Sequence, residues 1–466
     1  MTVVVASNLD PQTPAKWTQL SPEEIFNVSA EQAAPAQLAA LQLRFAELKG
    51  RIGALANLVE GEKIERIDAL NDVLPLLFDH RVYKNYPISL IEKRNIKRLN
   101  AWLNKLTTHD LSKIPLDDVT SIDDWLTRLD EHGMIVGHST GTTGKLSFIP
   151  RSRVELPAFA AAYFVAVTEA IGFDQRYEKI HNISAGYRKG HQMMIKMTRL
   201  MAEASASGEV ERDVLYDHGL SSDLLSLAGR FRAAEAKGEL DQLEVDPELI
   251  ERHKANMAAT AKHDDNLGQW FLPLAEKYKG QRVMVGGTSA DLVRIALRGT
   301  ESGHQCEFSD DAVLMTGGGF KGWKGAPENW QELITTYFGI SKISSIYSMS
   351  EIMANCPKCS EGNYHLPPYL IPYVLDAEAK PLPREGSQTG RLALFDLLAE
   401  TYWGGFISGD RVTLHWGDDC GCGRKSPRIS GDIVRFAELE GGDDDKITCA
   451  STQKVFDNFL EYVGGA

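Results

Sequence analysis

Residues 137–150 read GHSTGTTGKLSFIP. Hydroxyl side chains and glycines run together into a lysine, the make-up of a loop whose amides and hydroxyls can wrap a phosphate. One familiar solution is excluded. The pattern G-x-x-x-x-G-K-[ST] needs glycine where Ser139 stands and a hydroxyl where Leu146 stands. A plain polar hairpin turn, using Gly141 and Gly144, is the competing reading. The flanks place the loop. MIVGHS reads as the end of a short strand and KLSFIPRS as a second strand. LPAFAAAYFVAVTEAIGF, 156–173, then reads as a buried apolar helix.

Working outward, residues 1–28 are polar and proline-containing and read as loop. From Ser29 the pattern is helical: Leu38, Leu41, Phe45, Leu48, Ile52 and Leu55 form one apolar stripe, and Ser29 with Gln32 has capping-box spacing. EKRNIKRLNAWLNKL and SIDDWLTRL continue in the same manner, so 1–130 is expected to be a mostly helical region. Residues 210–280 read as polar and helix-rich. From 282 the texture changes. RVMVGGTS and AVLMTGGG are short runs ending in glycine, PENWQELITTYFG is a helix with Pro327 near its start and Gly339 at its end, and SSIYSMSE is a further strand. Beyond 365, YLIPYVLD, GRLALFDL and RVTLHW read as antiparallel strands. The expected fold class is α/β, with the helical region followed by a large core of sheets flanked by helices over 131–435. A small β-rich subdomain falls at about 352–435, and 436–466 is the start of another domain.

The chain has 466 residues, enough for two or three domains and a sizeable core, and is 43% hydrophobic and 24% charged. Its net charge of −14 argues against a nucleic-acid partner gripped by phosphate neutralisation. MTVVVASNLDPQTP has no basic segment or apolar run of a secretory signal, and 156–173 is short for a membrane span and carries Glu169. A cytoplasmic protein without a membrane span is expected. Of the six cysteines, four lie in two pairs: Cys356 with Cys359, and Cys420 with Cys422. Cys-x2-Cys followed by a distant Cys-x-Cys is zinc-ligand spacing, and four thiolates complete a closed structural site.

STGTTGK is similar to the phosphate-binding loop of the adenylate-forming superfamily, the acyl-CoA synthetases and their relatives. Further segments follow in the family's order: TGGGFKG at 316–322, IYSMSEI at 346–352, FISGDRV at 406–412 and CGCGRKSPRI at 420–429. The last resembles the cysteine-bearing run of the phenylacetate–CoA ligase branch, and the acyl-protein synthetase of bacterial luminescence is similar too. The resemblance covers about 130–466 and implies activation of a small carboxylic acid by ATP and Mg2+, followed by transfer to a thiol or amine acceptor, on a partner protein or free.

Carried onto this chain, the resemblance implies that Ser139, Thr140, Gly141, Thr142, Thr143, Gly144 and Lys145 cradle phosphates. Gly317, Gly318 and Gly319 line the adenine and Tyr347 stacks on it. Ser350 contacts the α-phosphate, Glu351 binds Mg2+, Asp410 takes the ribose hydroxyls, and Arg424 belongs to the nucleotide-binding set. It also implies that His365, six residues after Cys359, is an alternative to Cys356 as fourth zinc ligand.

DDDKITCASTQKVFDNFLEYV resembles the hinge that leads to the family's mobile C-terminal lid, and the lid's adenylating lysine is missing from this chain, as is the hinge arginine expected near Gly442. Lys321 or Lys324, beside the glycine-rich loop, is a candidate replacement. Cys449 is a candidate acyl acceptor, and Tyr187, Arg188 and His191 are candidates for recognising a carboxylate substrate. The competing expectation is a degenerate nucleotide-binding or scaffold protein that keeps the zinc-stapled fold without turnover.

Overall fold

The computed structural model describes residues 8–139, 145–240, 243, 245–320, 323–417 and 419–439. Thr140, Gly141, Thr142, Thr143, Gly144, Lys321, Cys449 and the hinge-like segment lie outside the described residues. The fold is mixed α/β, and contacts divide it into two units.

The first unit takes the described residues of 8–139, 145–166 and 348–439. Its centre is a seven-stranded sheet whose main path runs Tyr364–His365, Arg428–Ile429, Gly405–His415, Ser387–Asp396, Leu370–Leu375. These pairs are antiparallel, while Phe78–Asp79 joins Gly405–His415 in parallel. Leu370–Leu375 and the end of Ser387–Asp396 are buried on both faces. The expected capping box forms: the Ser29 amide donates to Gln32 Oε1 at 3.0 Å and the Gln32 amide to Ser29 Oγ at 3.3 Å. The apolar stripe is shared by two helices, Ala30–Leu48 and Gly53–Glu62, with a break between them. Helix Ala30–Leu48 seats on the sheet's connections, Gln37 Nε2 donating to the Pro368 carbonyl (2.8 Å) and Arg44 Nη2 to the Leu397 carbonyl (3.2 Å). The hairpin Met134–His138 with Phe148–Ser152 forms as expected, and Phe148 packs edge-on against Trp125 at 5.1 Å.

The second unit takes the described residues of 167–347. Its parallel strands lie in the order Arg212–Leu220, His181–Gly190, Val283–Thr288, Val313–Gly317, Ile343–Tyr347. Ile183, Val283, Val285 and Leu314 from the strands meet Leu292, Val293, Ile334 and Phe338 from helices Ser289–Glu301 and Trp330–Phe338 in one core. Gly339 ends the latter helix in the left-handed region, φ 68°, as its position predicts. Residues 210–280 are helix-rich as expected except for strand Arg212–Leu220, and strand His181–Gly190 stands where no strand is expected from the sequence. Both carry charged residues through half-exposed positions, so they lack the alternation that marks a strand in sequence.

The apolar helix forms over Leu156–Ile171, within the expected 156–173. With the turn before it, the run Arg153–Ile171 is 19 residues, long and apolar enough to cross a membrane by length and composition. Phe164, Val165, Ala166 and Val167 on it are nevertheless buried in the protein itself.

Candidate functional site

The described flanks of the phosphate-type loop close as a hairpin. The Ser139 amide donates to the Ser147 carbonyl and the Ser147 amide to Ser139 Oγ, both at 3.1 Å, so Ser139 is engaged at the neck of the loop. Lys145 Nζ donates to the Tyr86 carbonyl at 2.8 Å and lies 5.5 Å from the Tyr86 ring centroid. Burial, with the nearby charge of Lys84, lowers the Lys145 ammonium from its ordinary range.

In the same unit the second strand of the hairpin, Phe148–Ser152, supplies Arg151, which sequence reasoning missed. Its guanidinium is buried and donates to the carbonyls of Ser350 (2.8 Å) and Ile352, so it grips the Ser350–Glu351 segment from both sides. Tyr402 Oη donates to the Glu351 carbonyl at 3.3 Å. Asp396, fully buried, accepts from the amides of Met353 (2.5 Å) and Ala354 (3.1 Å) through one oxygen and from Leu398 (2.9 Å) through the other. Nothing in the sequence marks Arg151. Asp396 was missed too, although a lone acid within the apolar run LALFDLLA is a signal that could have found it.

These contacts fix where Glu351 stands, and its electrostatics follow. Burial raises the Glu351 carboxyl above its ordinary range; the charge of Asp410 adds to the rise, and Arg151 and Arg435 oppose it. Asp410 sits on strand Gly405–His415 opposite Arg435, whose Nε lies 3.7 Å from Asp410 Oδ1. Two carboxyl groups with two guanidiniums about them suit a divalent cation and a polyanion.

In the second unit Gly317 closes strand Val313–Gly317, and Gly318 and Gly319 follow at φ 69° and 55°, a left-handed turn that favours glycine. A Cβ at Gly317 or Gly319 meets no atom within 4 Å, so the protein's own packing does not demand their smallness. Tyr347 ends the neighbouring strand, and Lys324 is exposed. Arg188 pairs with Asp217 and with Glu209 (3.2 Å).

The clearest cluster is in the first unit. Donor atoms of Cys359, His365, Cys420 and Cys422 all lie within 4.8 Å of one another. Cys359 Sγ is 3.9 Å from Cys420 Sγ; Cys422 Sγ is 3.3 Å from both Cys420 Sγ and His365 Nε2. Tetrahedral zinc at about 2.3 Å from sulfur places its donors roughly 3.8 Å apart. The donor set therefore fits zinc and leaves no position open for chemistry. His365 Nδ1 pairs with Ser426 Oγ at 3.1 Å, which orients Nε2 toward the cysteines. Burial takes the imidazole down to about 4, so it is neutral, as a ligand must be. Cys356 is not in the group. It is fully buried and burial pushes its thiol well up, so of the two alternatives for fourth donor the structure brings His365 to the cluster. Arg424, two residues past Cys422, is half-buried on the same loop.

No protein-family model matches this chain, and no curated protein matches it. Solved structures to which it is similar include the amide bond synthetase McbA from Marinactinospora thermotolerans, at 13% identity over 65% of this chain and 49% of that one, TM-score 0.35. The Brucella canis acyl-CoA synthetase is matched at 14% identity over 63% of this chain and 46% of that one, TM-score 0.34. The anthranilate CoA ligase AuaEII in complex with anthranoyl-AMP is matched at 11% identity over 64% and 49%, TM-score 0.35. The chain spans about half the length of these structures. Similarity of this degree assigns no activity or ligand.

Proposed function

We propose that this protein activates a carboxylic acid as its acyl-adenylate, with ATP and Mg2+, and passes the acyl group to a thiol or amine. The observation that carries the reading is the order of five family-like segments along the chain, of which Ser350–Glu351 and Asp410 share one unit and one electrostatic environment. Glu351 is the residue to hold Mg2+, since a cation beside a carboxyl that burial raises favours its ionised form. Mg2+ supplies charge neutralisation for the departing pyrophosphate. The chain's own contribution is positioning: Arg151, Tyr402 and Asp396 hold the backbone around Glu351, and Asp410 offers a carboxylate to sugar hydroxyls. Cys359, His365, Cys420 and Cys422 hold a structural zinc.

The test is ATP–pyrophosphate exchange over a panel of acids, with Glu351→Gln beside the parent. Exchange by the parent and its loss by on the order of 10²-fold in the variant is expected for removal of a charged group that acts on the transition state. Exchange at the parent rate in the variant, or none in the parent with any acid, overturns the assignment.

A further inference from the structure

Beside the glycine-rich turn, the second unit carries a hydrogen-bonded chain of three titratable groups that the reading above leaves unused. Tyr216 Oη lies 3.0 Å from His263 Nδ1, and His263 Nε2 lies 3.1 Å from Asp291 Oδ1. Its direction is set by chemistry. Burial works to raise the Asp291 carboxyl, but bonds from His263 and Thr288 and the charge of Arg294 hold it below its ordinary range. An ionised carboxylate only accepts, so His263 Nε2 carries the proton. In the neutral ring Nδ1 is then an acceptor, and the Tyr216 hydroxyl donates to it. The acid end is buried and the phenol end half-exposed, the order a proton relay needs, with a fixed anion ready to stabilise an imidazolium.

The fold aims this chain at a binding position. Tyr216 is on the edge strand Arg212–Leu220 and stacks at 4.7 Å on Tyr187, its register partner. His263 opens helix His263–Lys277, and Asp291 lies in the first turn of helix Ser289–Glu301, directly after the carboxyl end of strand Val283–Thr288. The strand order reverses between His181–Gly190 and Val283–Thr288, and ligands of open parallel sheets bind at the carboxyl ends beside such a reversal. The chain's acid end adjoins the glycine-rich turn: Thr288, which caps Asp291, pairs with Gly317, and Ser289 Oγ is 2.9 Å from Thr316 Oγ1.

We propose that Tyr216, backed by His263 and Asp291, is the proton acceptor of the acyl-transfer step, and that the acyl acceptor is a primary amine. This rests on the adenylation reading. The amine nitrogen attacks the carbonyl carbon of the acyl-adenylate and the C–N bond forms. The nitrogen's proton passes to Tyr216 Oη while the phenol proton moves to His263 Nδ1. The C–O bond to phosphate breaks and AMP leaves with the electron pair, after which the imidazolium returns its proton to solvent. A thiol needs this help far less, because part of it is already thiolate at neutral pH, whereas an attacking amine must lose a proton to stay acylated. Tyr216 touches the reacting atoms; His263 and Asp291 act through it as positioning residues.

The experiment separates the two half-reactions on the full chain. ATP–pyrophosphate exchange is measured with benzoate, phenylacetate and octanoate. Transfer is measured in single turnovers from preformed benzoyl-adenylate to butylamine and to the thiol N-acetylcysteamine. Parent, Tyr216→Phe and Asp291→Asn are compared. Tyr216→Phe keeps the stacked ring and should lower transfer to butylamine on the order of 10²–10⁴-fold. Asp291→Asn should move the same rate in the same direction, while exchange and transfer to the thiol persist in both. Unchanged butylamine transfer in Tyr216→Phe overturns the relay. A fall of exchange and both transfers by one common factor also overturns it, since that marks a structural tie. A parent that exchanges pyrophosphate with none of the acids overturns the adenylation reading, and the relay's role with it.

Discussion

Removing the Asp396 carboxylate should unlock the segment that carries Ser350 and Glu351. Asp396 is fully buried and takes three backbone amides, at 2.5, 3.1 and 2.9 Å. A hydrogen bond to a charged group contributes about 1.5–3 kcal/mol, and each buried amide left without a partner costs a similar amount. Against this, burial raises the carboxyl of Asp396, so the fold bears a desolvation cost that its removal relieves. Taking the lower end for three bonds and subtracting that relief leaves about 3 kcal/mol for Asp396→Ala, or roughly 100-fold in a local opening equilibrium. Asp396→Asn keeps one oxygen to accept from Met353 and Ala354 and turns an NH2 toward Leu398, so its cost should be about half as large. Native-state hydrogen exchange read by mass spectrometry, on peptides spanning 350–356 and 396–400, measures this where the bonds are. Protection should fall in the order parent, Asn, Ala. Unchanged protection in the Ala variant, or a greater loss in Asn than in Ala, refutes the reasoning.

Metal analysis of protein purified without added zinc should give about one zinc per chain, as a closed four-donor site implies. His365→Ala should lose zinc and melt at lower temperature, while Cys356→Ser, outside the cluster, should keep it. Asp291 predicts an acid effect. Its folded carboxyl is held below the ordinary value of 3.8, so the unfolded chain binds the proton first. Its contribution is fully present above that value and is lost as pH falls through the folded one. Acid titration followed by circular dichroism should therefore show a smaller loss of stability below about pH 4 in Asp291→Asn than in the parent.

The local elements were largely written in the chain. Ser29 and Gln32 make the capping box their spacing requires, Gly339 ends its helix at positive φ, and the strands on either side of the phosphate-type loop are where the apolar runs stand. Each depends on residues a few positions apart, which is the range over which backbone hydrogen bonding and side-chain alternation act. His181–Gly190 and Arg212–Leu220 escaped because their strand state comes from parallel pairing with neighbours, not from any pattern of their own. The site divides along the same line. The glycines of 317–319, Glu351, Asp410 and the cysteine pairs stand out in sequence because they lie in short contiguous segments; of the four paired cysteines, Cys359, Cys420 and Cys422 join the cluster and Cys356 does not.

Tertiary structure alone chose between Cys356 and His365. Both have ligand spacing from Cys359, but only the pairing of Tyr364–His365 with Arg428–Ile429 carries the imidazole to Cys420 and Cys422. The same holds for Arg151, gripping a segment about 200 positions later, and for Tyr216, His263 and Asp291, drawn from one strand and two helices. By itself the sequence determined the helices, turns and strands that carry their own periodic or capping pattern, and the short segments that bring polar and sulfur-bearing groups together. Which of those groups face one another was decided by the packing of elements far apart in the chain, because burial and hydrogen-bond distance depend on position in space and not on separation along the backbone.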